Sequence, residues 1–166
     1  MIPDILVTAK GIGNGFPLAA LIARRQVAEA MADKFYFHTY GANPVTTAAG
    51  RAVLHVIKQH GLQQNALEVG AALLDVLSDL QGKYPVIGSV RGRGLMMAVE
   101  LVKDRKTREP DVESMARLFE NTRECGLIAS KSGAYRNILR ICPPLCMQMS
   151  DVAFFEEAIN RSFETL

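Results

Sequence analysis

Two short apolar runs, Ile5-Leu6-Val7 and Leu18 to Ala23, limit the fold more than any other feature of the chain. They are too short to be helices and read as buried strands. Gly11, Gly13 and Gly15 end the first, and a Gly/Pro loop precedes the second. Such strands sit inside a sheet with neighbours on both sides, so the first 60 residues read as the end of a larger α/β domain. Asn43-Pro44 then opens a helix, since Pro suits a first turn. Val45, Ala48, Ala49, Ala52, Val53 and Val56 form one apolar face, and Gly61 is its natural stop. A second helix, with Leu67, Ala71, Leu74 and Leu77 expected inward, ends near Gly82.

From Val86 the apolar period changes. Val86 to Val90 and Leu95 to Val102 read as strands around the turn Arg91-Gly92-Arg93-Gly94. Asp111 is placed to cap a third helix that buries Val112, Met115, Ala116 and Phe119. Leu127 to Ala129 and Ile138 to Ile141 read as two more strands. A last helix from Ser150-Asp151 is expected to bury Val152, Phe155, Ile159 and Phe163. Residues 61–166 therefore read as a small α+β domain.

Composition excludes several classes of function. With 49% apolar and 22% charged residues the chain suits a water-soluble core, and no apolar run reaches the length of a membrane helix. The net charge is +2 and the basic residues are scattered among acids, so neither nucleic acid nor membrane is expected as a partner. Cys125, Cys142 and Cys146 form no C-x-x-C pair and read as small apolar fillers in a reducing compartment; no metal site is expected. Met1 to Asp4 shows no cleavable leader or Arg-rich presequence, so any targeting signal is expected outside this chain.

Four stretches could carry chemistry. Lys10 stands at the exit of the first strand, where an interior setting would disfavour the ammonium form and free the amine to attack a carbonyl. A lysine followed by glycines is also a common surface turn. His38-Thr39-Tyr40-Gly41-Ala42-Asn43-Pro44 sets a hydroxyl and backbone amides ahead of a helix N-terminus, which suits a phosphate; a plain tight turn has the same composition. Arg140 lies within an apolar strand and needs a partner. A substrate carboxylate gripped by two parallel hydrogen bonds would serve, and so would an internal Asp or Glu. Arg91 to Gly94 reads as a hairpin turn with exposed arginines.

In order, these stretches resemble the class III aminotransferases, fold-type I enzymes that use pyridoxal 5'-phosphate. Asp4-Ile5-x-x-x-Ala9-Lys10 with the glycine run is similar to that family's lysine signature. Thr39-Tyr40-Gly41-Ala42-Asn43-Pro44 is similar to its T-[FY]-G-G-N-P segment, with Ala42 where glycine is usual. Arg91-Gly92-Arg93-Gly94-Leu95-Met96 and Leu139-Arg140-Ile141-Cys142-Pro143-Pro144-Leu145 resemble its V-R-G-x-G-L and R-x-x-P-P-L regions. The run from Ala9 to Pro17 most resembles the mitochondrial alanine–glyoxylate aminotransferase 2 group.

The resemblance implies an α/β fold that is the C-terminal part of a fold-type I transferase. Residues 1–60 would end the large cofactor-binding domain, and 61–166 would form the small one. It implies transamination between an amino acid such as alanine and an oxo acid such as glyoxylate or pyruvate, in a homodimer with a mitochondrial location. Lys10 would be the catalytic Schiff-base lysine. Thr39 would bind the cofactor phosphate of the neighbouring subunit, and Arg140 the substrate carboxylate. The methyl of Ala42 is expected to be tolerated. The family's aspartate for the pyridinium nitrogen, its stacking aromatic and its first phosphate loop lie upstream of this stretch, so the chain is expected to be inactive alone. Two other readings stay open: a non-catalytic dimerisation or interaction fragment, and another reaction of the same cofactor such as a lyase.

Overall fold

The computed structural model describes residues 2–166, and the chain divides into two compact units, Met1–Gly61 and Leu62–Leu166. The first unit contains β1 (Ile5–Ala9), β2 (Ala19–Ala23), the short α1 (Arg25–Glu29) and α2 (Pro44–Gln59). β1 and β2 pair antiparallel with each other, from Ile5 opposite Ala23 to Ala9 opposite Ala19. No third strand joins them among the described residues.

These strands are not buried within their unit, contrary to the reading from their apolar runs. Val7 is 68% exposed and Leu21 67%. A two-stranded ribbon has no flanking strands, and no layer of this unit covers these side chains. The apolar face expected on α2 also stays open: Val45 is 62% exposed, and Gly50 is the helix's one buried residue. Gly50 is where α2 takes up the rest of the unit, since a Cβ there would meet the Leu18 side chain and come 3.5 Å from the Ile12 carbonyl oxygen.

The second unit is a two-layer α+β structure. β3 (Ile87–Arg93), β4 (Met96–Leu101), β5 (Ser130–Ser132) and β6 (Ile138–Ile141) form an antiparallel sheet in the order β3-β4-β6-β5. The helices α3 (Leu62–Lys83), α4 (Val112–Glu124) and α5 (Val152–Glu164) pack on one face of it. Alternation sends Met97, Val99, Leu101, Leu139 and Ile141 into the core and leaves Met96, Ala98, Glu100 and Arg140 on the other face.

Four details differ from the sequence reading, the first being that Arg91 to Arg93 of the expected turn belong to β3. The buried stripe of α3 is Val69, Leu73, Leu77 and Leu80, whereas Leu67 is half exposed and Ala71 exposed. In α4 the inward residues are Met115, Leu118 and Thr122, not Val112 and Ala116. The strand expected at Leu127 to Ala129 begins only at Ser130. Its place is taken by the helix exit, where Gly126 has φ +86° and the Leu127 N–H donates to the Thr122 carbonyl at 2.8 Å, leaving Ile128 99% exposed.

Candidate functional site

Lys10 follows β1 directly and opens a 3-10 turn, Lys10–Ile12. Its φ is +55°, the left-handed region that a residue with a Cβ rarely enters. Strain of this kind persists where the surroundings over-determine the backbone, and it concentrates at functional positions. Lys10 is exposed, so the interior setting expected for it is absent from this unit.

The Thr39 loop leads straight into α2. Gly41 N–H donates to the His38 carbonyl at 3.0 Å, and Thr39 is exposed on this turn. Asn43 is the N-cap of α2, its Oδ1 accepting from Val45 N–H at 3.0 Å and Thr46 N–H at 3.2 Å. This corrects the expectation of open helix N–H groups. Pro44 has none to give, and the next two are taken by Asn43, so an anion here would rely on the loop and the helix dipole.

The same helix seats both features. Gly50, packed on the Ile12 carbonyl and Leu18, lies seven residues past Asn43, about 10 Å along the axis. A cavity of about 810 Å³ opens beside the loop, lined by Val7, Leu18, Leu21, Tyr36, His38 and Tyr40 among others. Neither Lys10 nor Thr39 lines it.

Ala42 has φ +55°. That conformation costs a residue with a Cβ about 1–2 kcal/mol, which is the physical reason glycine suits this position. The methyl is accommodated, at a cost in backbone strain. Ala42→Gly is expected to stabilise the first unit by about 0.5–1 kcal/mol once glycine's greater unfolded-state entropy is subtracted. Urea unfolding of the two chains checks this, and equal midpoints would mean the left-handed residue carries no strain.

In the second unit Arg140 lies on the sheet face that carries no helix, exposed rather than buried. Among the described residues no carboxylate lies within ion-pair distance of it. Its guanidinium touches Cys142 Sγ, a weak acceptor, at 3.7 Å. Arg91 on the same face is engaged: its Nη1 donates to Glu100 Oε2 at 2.8 Å and to Ser89 Oγ at 2.6 Å. The Arg91 hydrogen bond holds the Glu100 carboxyl below its usual value of 4.5 against the opposing effect of burial. Reading the 91–94 segment as a hairpin turn missed this pair, although Glu100 stands on the next strand nearly opposite Arg91.

The chain matches the family Aminotransferase class-III over residues 1–163, and it belongs to that family. It is 43% identical over 166 residues, all of this chain, to alanine–glyoxylate aminotransferase 2 homolog 2, mitochondrial, of Arabidopsis thaliana. It is 40% identical over 96% of its length to ethanolamine-phosphate phospho-lyase homolog 1 of Caenorhabditis elegans. In each case it spans 35% of the relative's length. Among solved structures, a pyridoxal-phosphate-bound amine transaminase from an uncultivated Pseudomonas species superposes with a TM-score of 0.90. That match has 33% identity and covers 98% of this chain and 38% of the other.

Proposed function

We propose that the chain is the lysine-bearing part of a pyridoxal-phosphate-dependent aminotransferase. The observation that carries this is Lys10 itself, an exposed amine on a left-handed backbone at a strand exit, in a turn packed on the helix that the Thr39 loop begins. The residues present fit the cofactor. They supply an amine at Lys10 and, for a neighbouring subunit's cofactor, a hydroxyl at Thr39 ahead of a helix N-terminus. The cavity beside that loop, lined by neither residue, is within the usual range for small ligands and has aromatic and apolar walls.

When bound, the cofactor supplies an electron sink for breaking a bond at the amino-acid α-carbon. Lys10 Nζ holds the cofactor and carries a proton. The Thr39 hydroxyl donates to the cofactor phosphate of a neighbouring subunit, which makes the protein a homodimer. Arg140 grips the α-carboxylate of the amino donor and of the oxo acid with two parallel hydrogen bonds. Alanine as donor and glyoxylate or pyruvate as acceptor follow from the likeness to the alanine–glyoxylate aminotransferase 2 relatives, as does a mitochondrial location. No Asp or Glu lines the described cavity of the first unit, and the carboxylate for the cofactor's ring nitrogen is taken to come from another segment. For that reason the chain is proposed to be inactive by itself.

The test is to incubate the purified chain with pyridoxal phosphate, reduce with borohydride and map the modified lysines by mass spectrometry. Selective labelling of Lys10, lost in Lys10→Ala, is the expected result. Labelling spread over the other lysines, or none, would sink the assignment. A second reading, a lyase reaction with the same cofactor, is favoured by the 40% identity to the phospho-lyase relative. Production of inorganic phosphate from phosphoethanolamine by a protein containing this chain would select it.

A further inference from the structure

We propose that Glu100 is the specificity-determining residue of the carboxylate site on the helix-free face of the four-stranded sheet: by neutralising Arg91 it leaves Arg140 alone to bind, so the site takes monocarboxylates in preference to dicarboxylates.

Arg91 is registered opposite Ala98, and Ala98 opposite Arg140, so the two arginines flank one small residue in a single row across the sheet. Two strand spacings separate their backbones, about 9.5 Å, with the Arg91 guanidinium leaning toward the Glu100 row and that of Arg140 toward Cys142. Arg91, Met96, Ala98, Ser132, Ile138 and Arg140 help to line a cavity of about 390 Å³ between them. Without Glu100 this would be a two-ended receptor for a dianion.

Glu100 prevents that. It sits in the next row of the same face, opposite Ile138 and Ser89, and binds the Arg91 guanidinium at 2.8 Å. Ser89 holds both partners: its Oγ accepts from Arg91 and its hydroxyl donates to Glu100 Oε2 at 3.1 Å. The carboxyl is held ionised by Arg91, so the cavity offers one net positive charge at neutral pH. A second ligand carboxylate would meet a guanidinium already satisfied, with a fixed negative charge beside it. Rejection built from like charge is a standard source of selectivity. Removing the Glu100 charge frees Arg91 for a second charge-assisted contact.

The inference rests on the reading of Arg140 as the carboxylate-binding residue, and the experiment separates the two. The full chain is titrated with propionate and with succinate at constant ionic strength, following arginine side-chain signals by NMR. Unaltered, it is expected to bind succinate no more than about threefold tighter than propionate, since only one guanidinium is free. Glu100→Gln keeps the shape and is expected to tighten succinate about tenfold while leaving propionate within about twofold. Adding Arg91→Gln to that variant is expected to remove the gain. The proposal is overturned if the unaltered chain already prefers succinate by about tenfold, if Glu100→Gln leaves succinate unchanged, or if the gain survives loss of Arg91. Propionate binding that is absent, or indifferent to Arg140→Gln, would instead overturn the Arg140 reading and this inference with it.

Discussion

Phe163→Ala is expected to destabilise the second unit by about 3–5 kcal/mol, a large share of what a domain of this size has to lose. Phe163 is 2% exposed near the end of α5, in one core cluster with Leu77, Leu80 and Ile87. Its ring stands 5.1 Å from that of Tyr84 at 32°. Truncation removes the ring's transfer free energy, leaves a cavity ringed by side chains on helices and sheet that cannot all collapse inward, and breaks an aromatic pair worth about 0.5–1.5 kcal/mol. Phe163→Leu keeps most of the volume and is expected to cost much less. Urea unfolding followed by near-UV circular dichroism of tyrosine reads both variants. A loss below about 1 kcal/mol for alanine would mean that α5 does not complete the core.

Phe163 was also among the residues whose burial could be read from sequence, and the reason is instructive. In α5 the large apolar residues at 152, 155, 159 and 163 define a single stripe, and the structure buries three of them outright and half-buries Val152. In α3 two stripes compete: Leu67, Ala71, Leu74 and Leu77 on one side, Val69, Leu73, Leu77 and Leu80 on the other. Both have helical spacing and share Leu77, so periodicity cannot choose between them. Packing against β3 does, and it takes the second.

The candidate site divides the same way. Lys10, Thr39 and Arg140 stand out as candidates because reactive side chains stand beside glycine, proline and apolar punctuation. Their setting was not legible, because burial of Ile5 to Val7 presupposes a covering layer that the first unit does not contain. The side of β6 on which Arg140 lies was legible in principle. Leu139 and Ile141 point inward, so strict alternation places Arg140 outward and removes the supposed burial penalty. The Arg91–Glu100 pair needed strand register, which no local pattern in the sequence states.

Gly70→Val is expected to cost the second unit about 3 kcal/mol or more, with the hairpin between β3 and β4 as the part that gives way. Gly70 is buried in the middle of α3, where helix propensity alone would favour alanine by about 1 kcal/mol. A Cβ there would lie 2.7 Å from the Gly94 Cα and closer still to its carbonyl group, so helix and turn meet backbone to backbone. Gly94 itself has φ +54°, and a Cβ on it would come 3.3 Å from the Ala66 carbonyl oxygen. Neither side has a flexible side chain that could swing away. Overpacking costs about 1–3 kcal/mol when neighbours can shift; here they are main chain, and valine adds β-branched crowding within the helix. Gly70→Ala should already lose stability despite its better propensity. Gly82→Ala, where nothing lies within 4 Å, should gain up to about 1 kcal/mol on the same helix. Equal effects at 70 and 82 would show that propensity governs both positions and that the close approach is not binding. The consequence reaches the proposed carboxylate site, because the turn at Gly94 joins β3 to β4 in the register that puts Arg91 opposite Ala98. A slip of one residue between β3 and β4 would send Arg91 to the core face and dissolve its pair with Glu100. Gly70 variants that still fold are therefore expected to lose the Arg91–Glu100 contact before they lose the helices.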